Sequence, residues 1–339
     1  MALDGSDIMK VFISSTVYDL IDIRAELCIM FKEMGIDPIL SDANDSAFEI
    51  FTDKNTIETC LINLSKSDYV IIILSQRYGS SLSKFGYGDF STTHLEYLKA
   101  IETHKPIFMY VRDRLEADYK IWNMAKEKDQ ISYVWVSQKD IKLFDLLSRH
   151  SKLSQKRSNT NWYKTFKDSI ELKEIIKSDF KYKAAKRHIK NLLSDNKFPL
   201  LVPDLNVDTD AIRTHSKLIF KVKIKNAGGA PAFNYVPKWL GANSGYFKES
   251  DTKEVVSIIA PGDETILTAI YQLGPGYVGT TIELSLSYSN ADGYQVTEIY
   301  DVKARVIADP NISVLSGCIL KTRKFELGKP FEITIEGQV

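Results

Sequence analysis

The spacing of hydrophobic positions changes character near the middle of the chain. In the first half, apolar runs alternate with stretches of helical period. Val11-Phe12-Ile13 is a short apolar run that stops at Ser14-Ser15-Thr16. Over residues 17–34, Leu20, Ile23, Leu27, Phe31 and Met34 recur at spacings of three and four, which predicts a helix. Gly35 stands where a glycine ends a helix. "DPIL" reads as a second short strand, and the polar "SDANDSAF" as a loop. Residues 53–66 place Ile57, Leu61 and Leu64 on one helical face. "DYVIIILS" is continuously apolar, as a central strand covered on both faces must be. A third helix over 91–103, a strand "KPIFMYV" and a fifth strand "ISYVWVS" follow. Strands alternating with helices predict right-handed crossovers and a parallel, doubly wound α/β sheet.

From about 137 to 195 the pattern is helical and rich in lysine, with "SKLSQKRSNTN" as an exposed loop inside it. "FPLLVPDLNVD" is extended and reads as a linker. Beyond 217 the period falls to two. "KLIFKVKIKN", "EVVSIIA", "TILTAIYQL", "TIELSLSYS" and "YQVTEIYDVKARV" are separated by "NAGGAP", "APGDE", "LGPGYVG" and "NADG". Short strands at this spacing predict an all-β immunoglobulin-like sandwich, and "CILKTR" and "PFEITIEG" add C-terminal strands. The expected division is an α/β domain over 9–186, a linker over 187–216 and a β domain over 217–339.

Composition narrows the function classes. Lys+Arg and Asp+Glu balance at 44 each, which argues against wholesale attraction to nucleic acid or anionic membrane. Cys28, Cys60 and Cys318 are widely spaced and odd in number, as expected of reduced thiols in a cytoplasmic protein. The N-terminus lacks the pattern of a signal peptide, and no apolar run is long enough to predict a transmembrane helix. The five histidines are scattered, so no metal site is expected, and no Ser-His-Asp set, P-loop or HExxH is evident.

Three stretches carry candidate chemistry. Ser14, Ser15 and Thr16 fall at the carboxyl end of the first strand, where doubly wound sheets bind ligands. Their hydroxyls can cap the next helix or hold sugar and phosphate oxygens beside its N-terminus. Arg24 lies at the edge of the apolar stripe and wants an acidic partner or an anionic ligand. After the central strand, "LSQRYGSS" offers Arg77, Tyr78 and a turn at Gly79, followed by "LSKFGYGDFST", either a cover over a pocket or a solvated connection. In "STTHLEYLKAIETHKPI", helical angles place Leu95, Leu98 and Ile101 on the buried side, so pattern alone makes Glu96 a solvated residue.

"KVFISSTVYDLIDIRAEL", "SDYVIIILSQRYGS" and "STTHLEYLKAIETHKPIFMYV" together resemble the DUF4062 family, a branch of the TIR-like superfamily. The matching pattern is F-I-S-S-T-x-x-D-L, then R-Y-G, then S-x-T-x-x-E-Y followed by K-P, over roughly residues 9–186. His94 departs from it, standing where the family often has a second acid. The resemblance implies a TIR/flavodoxin-like parallel sheet and a nucleotide pocket. Ser14, Ser15, Thr16, Arg24, Arg77, Tyr78, Gly79 and Tyr97 would bind the nucleotide, and Glu96 would be catalytic. Glu96, Ala100 and Lys105-Pro106 also have the spacing seen in nucleoside deoxyribosyltransferases. TIR-type NAD hydrolases carry a glutamate on the corresponding helix against the ribose. "VKIKNAGGAPAFNY" and "LSYSNADGYQV" resemble bacterial Ig-like modules, which bind or assemble.

The expected function is therefore hydrolysis of the N-glycosidic bond of NAD or a related nucleotide, in the setting of bacterial antiphage defence. NAD enters as substrate, and no cofactor is expected. The expected partners are further copies of the chain and a protein trigger through the Ig-like part. The rival readings are a non-enzymatic TIR-like module that self-associates, and a deoxyribosyltransferase-like enzyme.

Overall fold

The structure is a computed structural model and describes residues 8–43, 45–126, 132–156, 162–204, 212–214, 217–240, 247–249, 257–272, 279–306, 313–326 and 330–332. The chain divides into two units, Met1–Arg187 and His188–Val339.

Five parallel strands form the sheet of the first unit: β1 (Lys10–Ser15), β2 (Asp37–Ile39), β3 (Tyr69–Leu74), β4 (Ile107–Arg112) and β5 (Lys164–Phe166). They lie in the order β2-β1-β3-β4-β5. The strand order reverses between β1 and β3, whose register pairs Val11 with Tyr69 and Ser15 with Ile73. Helices α1 (Val17–Glu33), α2 (Thr56–Lys66), α3 (Thr92–Glu102), α4 (Asp113–Met124), α5 (Lys142–Lys156) and α6 (Ser169–Ser194) complete the pattern.

The period of two along each strand sends alternate side chains to opposite faces. Phe12, Val70, Ile72, Leu74 and Met109 join Leu64, Tyr97, Ala100, Leu115 and Phe144 in one core. Val11, Ile13, Ile71, Ile73 and Tyr110 join Leu20, Leu27, Phe31, Ile176 and Phe180 in the other. Burial on both sides explains the unbroken apolar run of β3. Each fully buried isoleucine there contributes about 1.5–3 kcal/mol relative to exposure.

The expected fifth strand is corrected. Residues 132–137 are irregular, and the fifth place in the sheet belongs to Lys164–Phe166. The backbone N–H groups of Val134, Trp135 and Val136 donate to the buried Asp118 carboxylate rather than to a neighbouring strand. Helix α4, which carries Asp118, was not anticipated from the sequence. The stretch expected as an exposed loop, 151–161, begins inside α5, and its residues 157–161 lie outside the described residues.

The second unit contains two antiparallel sheets. One has the order β10-β12-β8-β6, with β7 also paired to β8; the other has the order β11-β9-β13-β14-β15-β16. These strands are β6 (Leu201–Asp204), β7 (Ile212–Thr214), β8 (Lys217–Asn226), β9 (Ala232–Leu240), β10 (Phe247–Glu249), β11 (Ile258–Ile259), β12 (Glu264–Gln272), β13 (Gly279–Ser289), β14 (Gln295–Val306), β15 (Ser313–Glu326) and β16 (Pro330–Glu332). Val222 and Ile224 from the first sheet share a core with Ala232, Trp239, Leu284, Leu286, Val296 and Val302 from the second. The segment 187–216, expected as a linker, carries the end of α6, and also β6, which pairs with β8. Part of "EVVSIIA" and of "PFEITIEG" lies outside the described residues.

Buried in this core, Glu298 of β14 faces Arg323 of β15, and the Arg323 Nε donates to the Glu298 carboxylate. The Tyr300 hydroxyl lies 3.1 Å from Glu298 Oε2 and 2.9 Å from the Leu201 carbonyl oxygen.

Candidate functional site

Three consecutive hydroxyls end β1, and each has a different partner. Alternation along the strand sends Ser14 to the α3 side of the sheet and Ser15 to the α1 side. The Ser14 hydroxyl donates to Glu96 Oε2 at 2.5 Å. Ser15 Oγ accepts from Arg24 Nη1 at 2.9 Å. Thr16 is the N-cap of α1, yet its hydroxyl donates to Asp19 Oδ1 rather than accepting from the helix backbone.

Arg24 is buried on α1, and it has found an acidic partner. Its Nε lies 2.9 Å from both Asp42 carboxylate oxygens, its Nη2 also donates to Asp42, and Nη1 reaches the Ile13 and Ser15 carbonyls. Burial pushes the Asp42 carboxyl up, but the Arg24 hydrogen bond and charge outweigh it, so Asp42 titrates below its ordinary value.

Glu96 overturns the solvated expectation, being only 6 % exposed. The buried side of α3 is Thr93, His94, Glu96, Tyr97 and Ala100, while Leu95, Leu98 and Ile101 are half-buried. Tyr97 and Ala100 pack into the sheet core, and Glu96 is turned toward the end of β1. The apolar stripe misleads here because the helix also meets a polar strand end. Burial raises the Glu96 carboxyl to about 7, against the lowering effects of the Ser14 hydrogen bond and the Arg24 charge.

Ser15, Thr16, Arg24, Arg77, Tyr78, Gly79 and Glu96 line one cavity of about 490 Å³ at the carboxyl ends of β1 and β3. Ser14 is absent from the lining but holds the Glu96 carboxyl from behind. Tyr97 is a correction: it is 0 % exposed, lies in the core, and its hydroxyl is 3.4 Å from His150 Nδ1. Residues with no sequence prediction also line the cavity, among them Tyr18, Thr56, Ile57, Cys60, Ser91 and Thr93. For α2 a signal existed in the capping box. The Asn55 side chain accepts from Glu58 N at 2.9 Å, and Glu58 Oε2 accepts from Asn55 N at 3.3 Å. The starts of α1, α2 and α3 thus all border the cavity, and their unpaired N–H groups favour negative charge.

The wall after β3 is held at several points. Tyr78 N donates to Asp140 Oδ1 at 2.9 Å, and the Tyr78 hydroxyl lies 2.8 Å from His94 Nδ1. Burial, then the charges of Arg149 and Lys142, lower His94 to about 4, so it is neutral at physiological pH. Gly79 has φ +94°, and a Cβ there would lie 3.3 Å from Ser91 Cβ and 3.6 Å from Thr16 Cγ2. At the lip, the Arg77 guanidinium sits 3.9 Å from the centre of the exposed Tyr18 ring. Cys60 is pushed up to about 12 by burial and then by the Glu96 charge, so its thiol stays protonated and is a poor nucleophile. The following loop closes on itself through Leu82 N donating to Phe90 O at 2.9 Å. Among the described residues no group of three or more His, Cys, Asp or Glu could hold a metal ion, and no helix is long and apolar enough to cross a membrane.

Fold and site together define a doubly wound α/β domain with a ligand-sized cavity at its switch point. The family described as "Domain of unknown function (DUF4062)" matches residues 10–181, half of the sequence, and the chain belongs to that family. No curated protein matches the sequence. Among solved structures, the secreted serine protease VesC from Vibrio cholerae is 10 % identical, with 43 % of this chain and 46 % of that chain covered and a TM-score of 0.21. The chain therefore spans less than half the length of that protein. The β-glucosidase 3B from Thermotoga neapolitana, in complex with α-D-glucose, is 10 % identical, with 98 % and 52 % covered and a TM-score of 0.19. The capsular polysaccharide assembling protein CapF from Staphylococcus aureus is 11 % identical, with 83 % and 95 % covered and a TM-score of 0.17. Likenesses this low carry no argument about fold or activity.

Proposed function

We propose that the first unit is a TIR-like domain that hydrolyses the N-glycosidic bond of NAD or a related nucleotide. The observation that carries this reading is the Glu96 carboxyl, held by Ser14 in the wall of a cavity at the carboxyl end of the sheet. Breaking an N-glycosidic bond develops oxocarbenium character on the ribose, and a nearby carboxylate stabilises it. A dry carboxylate acts strongly, because less solvent competes with the developing charge. Three helix starts and Arg77 suit the phosphates of such a substrate. The cavity falls within the range of about 300–1,000 Å³ typical of small-molecule sites.

The reading extends to the second unit as an Ig-like β-sandwich that senses a trigger or drives assembly. Two antiparallel sheets sharing one core support that assignment. Antiphage defence is the setting that the family resemblance suggests for such an effector.

The test is turnover of NAD and NADP by the full chain, with products separated and identified. Glu96→Gln keeps the size of the side chain and removes its charge. Turnover should then fall about 10²–10³-fold, the scale of one strong electrostatic contact. Undiminished turnover in Glu96→Gln would remove the carboxylate from the chemistry. Turnover absent from the wild type under every trigger would favour a non-enzymatic module, and base exchange with added nucleosides would favour transfer over hydrolysis.

A further inference from the structure

Two carboxyl groups, Asp42 and Glu96, feel the charge of Arg24, and they share it unequally. Asp42 takes the guanidinium directly through Nε and Nη2, and Nη1 goes to the Ser15 hydroxyl and to the Ile13 and Ser15 carbonyls. None of these hydrogen bonds reaches Glu96. Glu96 has the Ser14 hydroxyl at 2.5 Å, and among the described residues no lysine, arginine or histidine forms an ion pair with it. A carboxyl that is 6 % exposed and lacks a counter-ion in contact favours its neutral, protonated form. Its rise to about 7 follows from the same burial. Two carboxyls whose surroundings push them apart in this way separate a proton donor from a standing anion.

The groups around Glu96 offer no competing proton near neutrality. Ser14 comes from β1 and Arg24 from α1. Cys60, on α2, stays a thiol, and burial raises the Tyr78 hydroxyl, which is engaged by His94. On the same helix as Glu96, His94 is neutral. Cleavage of an N-glycosidic bond needs such a proton for one class of substrate. In NAD the ribosylated nicotinamide nitrogen is already cationic, so the base leaves neutral with the electron pair of the bond. An uncharged purine would leave as an anion unless a ring nitrogen is protonated as the bond breaks. A buried neutral acid matches the second case, as the raised carboxyl of a glycosidase does. At the lip, Arg77 has the Tyr18 ring and no acidic partner among the described residues, which leaves its charge for a phosphate.

We propose that Glu96 is the proton donor to an uncharged purine leaving group, and that the site favours a purine nucleoside monophosphate ahead of NAD. The proposal rests on the glycosidic reading and selects among its substrates. Glu96 passes its proton to a ring nitrogen of the base while the C1′–N9 bond breaks and its electron pair stays with the base. The carboxylate left behind stabilises the oxocarbenium ion. Water adds to C1′ and returns a proton to Glu96, so the products are the free purine and ribose phosphate.

The test compares three substrates on the full chain, with released bases separated and identified. They are GMP, NAD and 7-methylguanosine 5′-monophosphate, whose methylated base is already cationic and leaves without a proton. For GMP, kcat/KM should fall about tenfold per pH unit above about 7, while for the methylated nucleotide it should hold level. Glu96→Gln, shown to be folded by circular dichroism, should lose about 10²–10⁴-fold on GMP, the scale of general acid catalysis. Its loss on the methylated nucleotide should be smaller by about tenfold or more. Arg77→Ala should raise KM for GMP and leave guanosine unaffected; an unchanged KM overturns the phosphate assignment. Equal losses of Glu96→Gln on the two guanine nucleotides overturn the proton-donor role. Cleavage of NAD with GMP untouched overturns the substrate class while the glycosidic reading stands. No base released from any of the three overturns that reading and this proposal together.

Discussion

Ser14 and Glu96 are 82 residues apart in sequence, and the serine hydroxyl donates to the glutamate carboxyl at 2.5 Å. The contact joins the last turn of the pleat in β1 to the second turn of α3. It commits Glu96 Oε2 to the protein, while the residue also lines the cavity. Burial at this place, against the pull of the Ser14 hydrogen bond, raises the proton affinity of Glu96 and gives the first prediction.

Burial raises Glu96 from an ordinary 4.5 to about 7. The folded chain therefore holds a proton that the unfolded chain has released between those two values. Stability should fall as pH rises through this window, and change no further above it, by roughly 3 kcal/mol in all. Denaturant unfolding at pH 5, 6, 7 and 8 measures the slope. In Glu96→Gln the slope should flatten, making the variant the more stable chain at pH 8. Identical slopes in the two proteins would mean that Glu96 is ionised and well solvated.

Arg24 holds Asp42 from the opposite side of the sheet. Arg24→Ala should cost roughly 3 kcal/mol, because it leaves a partly buried carboxylate without its partner. Arg24→Lys should recover little, since an ammonium cannot reach Asp42 and Ser15 together as the guanidinium fork does. Asp42 titrates below its ordinary 3.8, so the pair's contribution is present at neutral pH and lost as pH falls through that lowered value. A lysine variant as stable as the wild type would show that charge alone suffices.

Gly79→Ala puts a side chain on a backbone at φ +94° and 3.3 Å from Ser91 Cβ. The left-handed conformation alone costs about 1–3 kcal/mol. The wall after β3 should shift, so the unfolding midpoint should drop, and with it any NAD turnover on the proposed reading. An alanine variant with the wild-type midpoint would show that the turn tolerates a right-handed conformation.

In the second unit, Glu298 and Arg323 are buried together, and burial raises the glutamate against the pull of the arginine. Arg323→Met alone should cost roughly 3–5 kcal/mol by stranding the carboxyl. Adding Glu298→Met should recover most of that loss, because a packed apolar pair needs no desolvation of charge. Melting curves of the two single variants and the double variant decide it. A double variant as unstable as the worse single would mean that the pair itself supplies net stability.

How far the sequence reveals the structure depends on which force shapes each element. β1, β3 and β4 are legible because burial on both faces leaves an unbroken apolar run. The strand reading of "ISYVWVS" fails over 132–137 because its strand-favouring Tyr, Val and Trp residues equally suit a stretch whose Val134, Trp135 and Val136 N–H groups are satisfied by one carboxylate, Asp118. Nothing local to that stretch announces an acceptor on the preceding helix. Arg24 was legible as a residue in need of an acid, but Asp42 lies in a polar loop where periodicity says nothing. Glu96 was legible only through its motif: the stripe on α3 pointed elsewhere, since a helix facing a strand end can bury a polar residue that its hydrophobic angle would expose. Tyr97, adjacent in the motif, points a full 100° away around the helix, and that rotation takes it from the cavity into the core.

The cavity draws its lining from separate connections: the β1–α1 turn, the start of α2 and the β3–α3 loop with the start of α3. The strands beneath them are fixed by two cores that share with the lining Phe12, Ile13 and Tyr78. Each wall is thus a separate stretch of chain set on a common frame. One can be replaced, lengthened or reshaped without re-registering the sheet, and the Glu96 carboxyl can stay in place while the groups around it are exchanged.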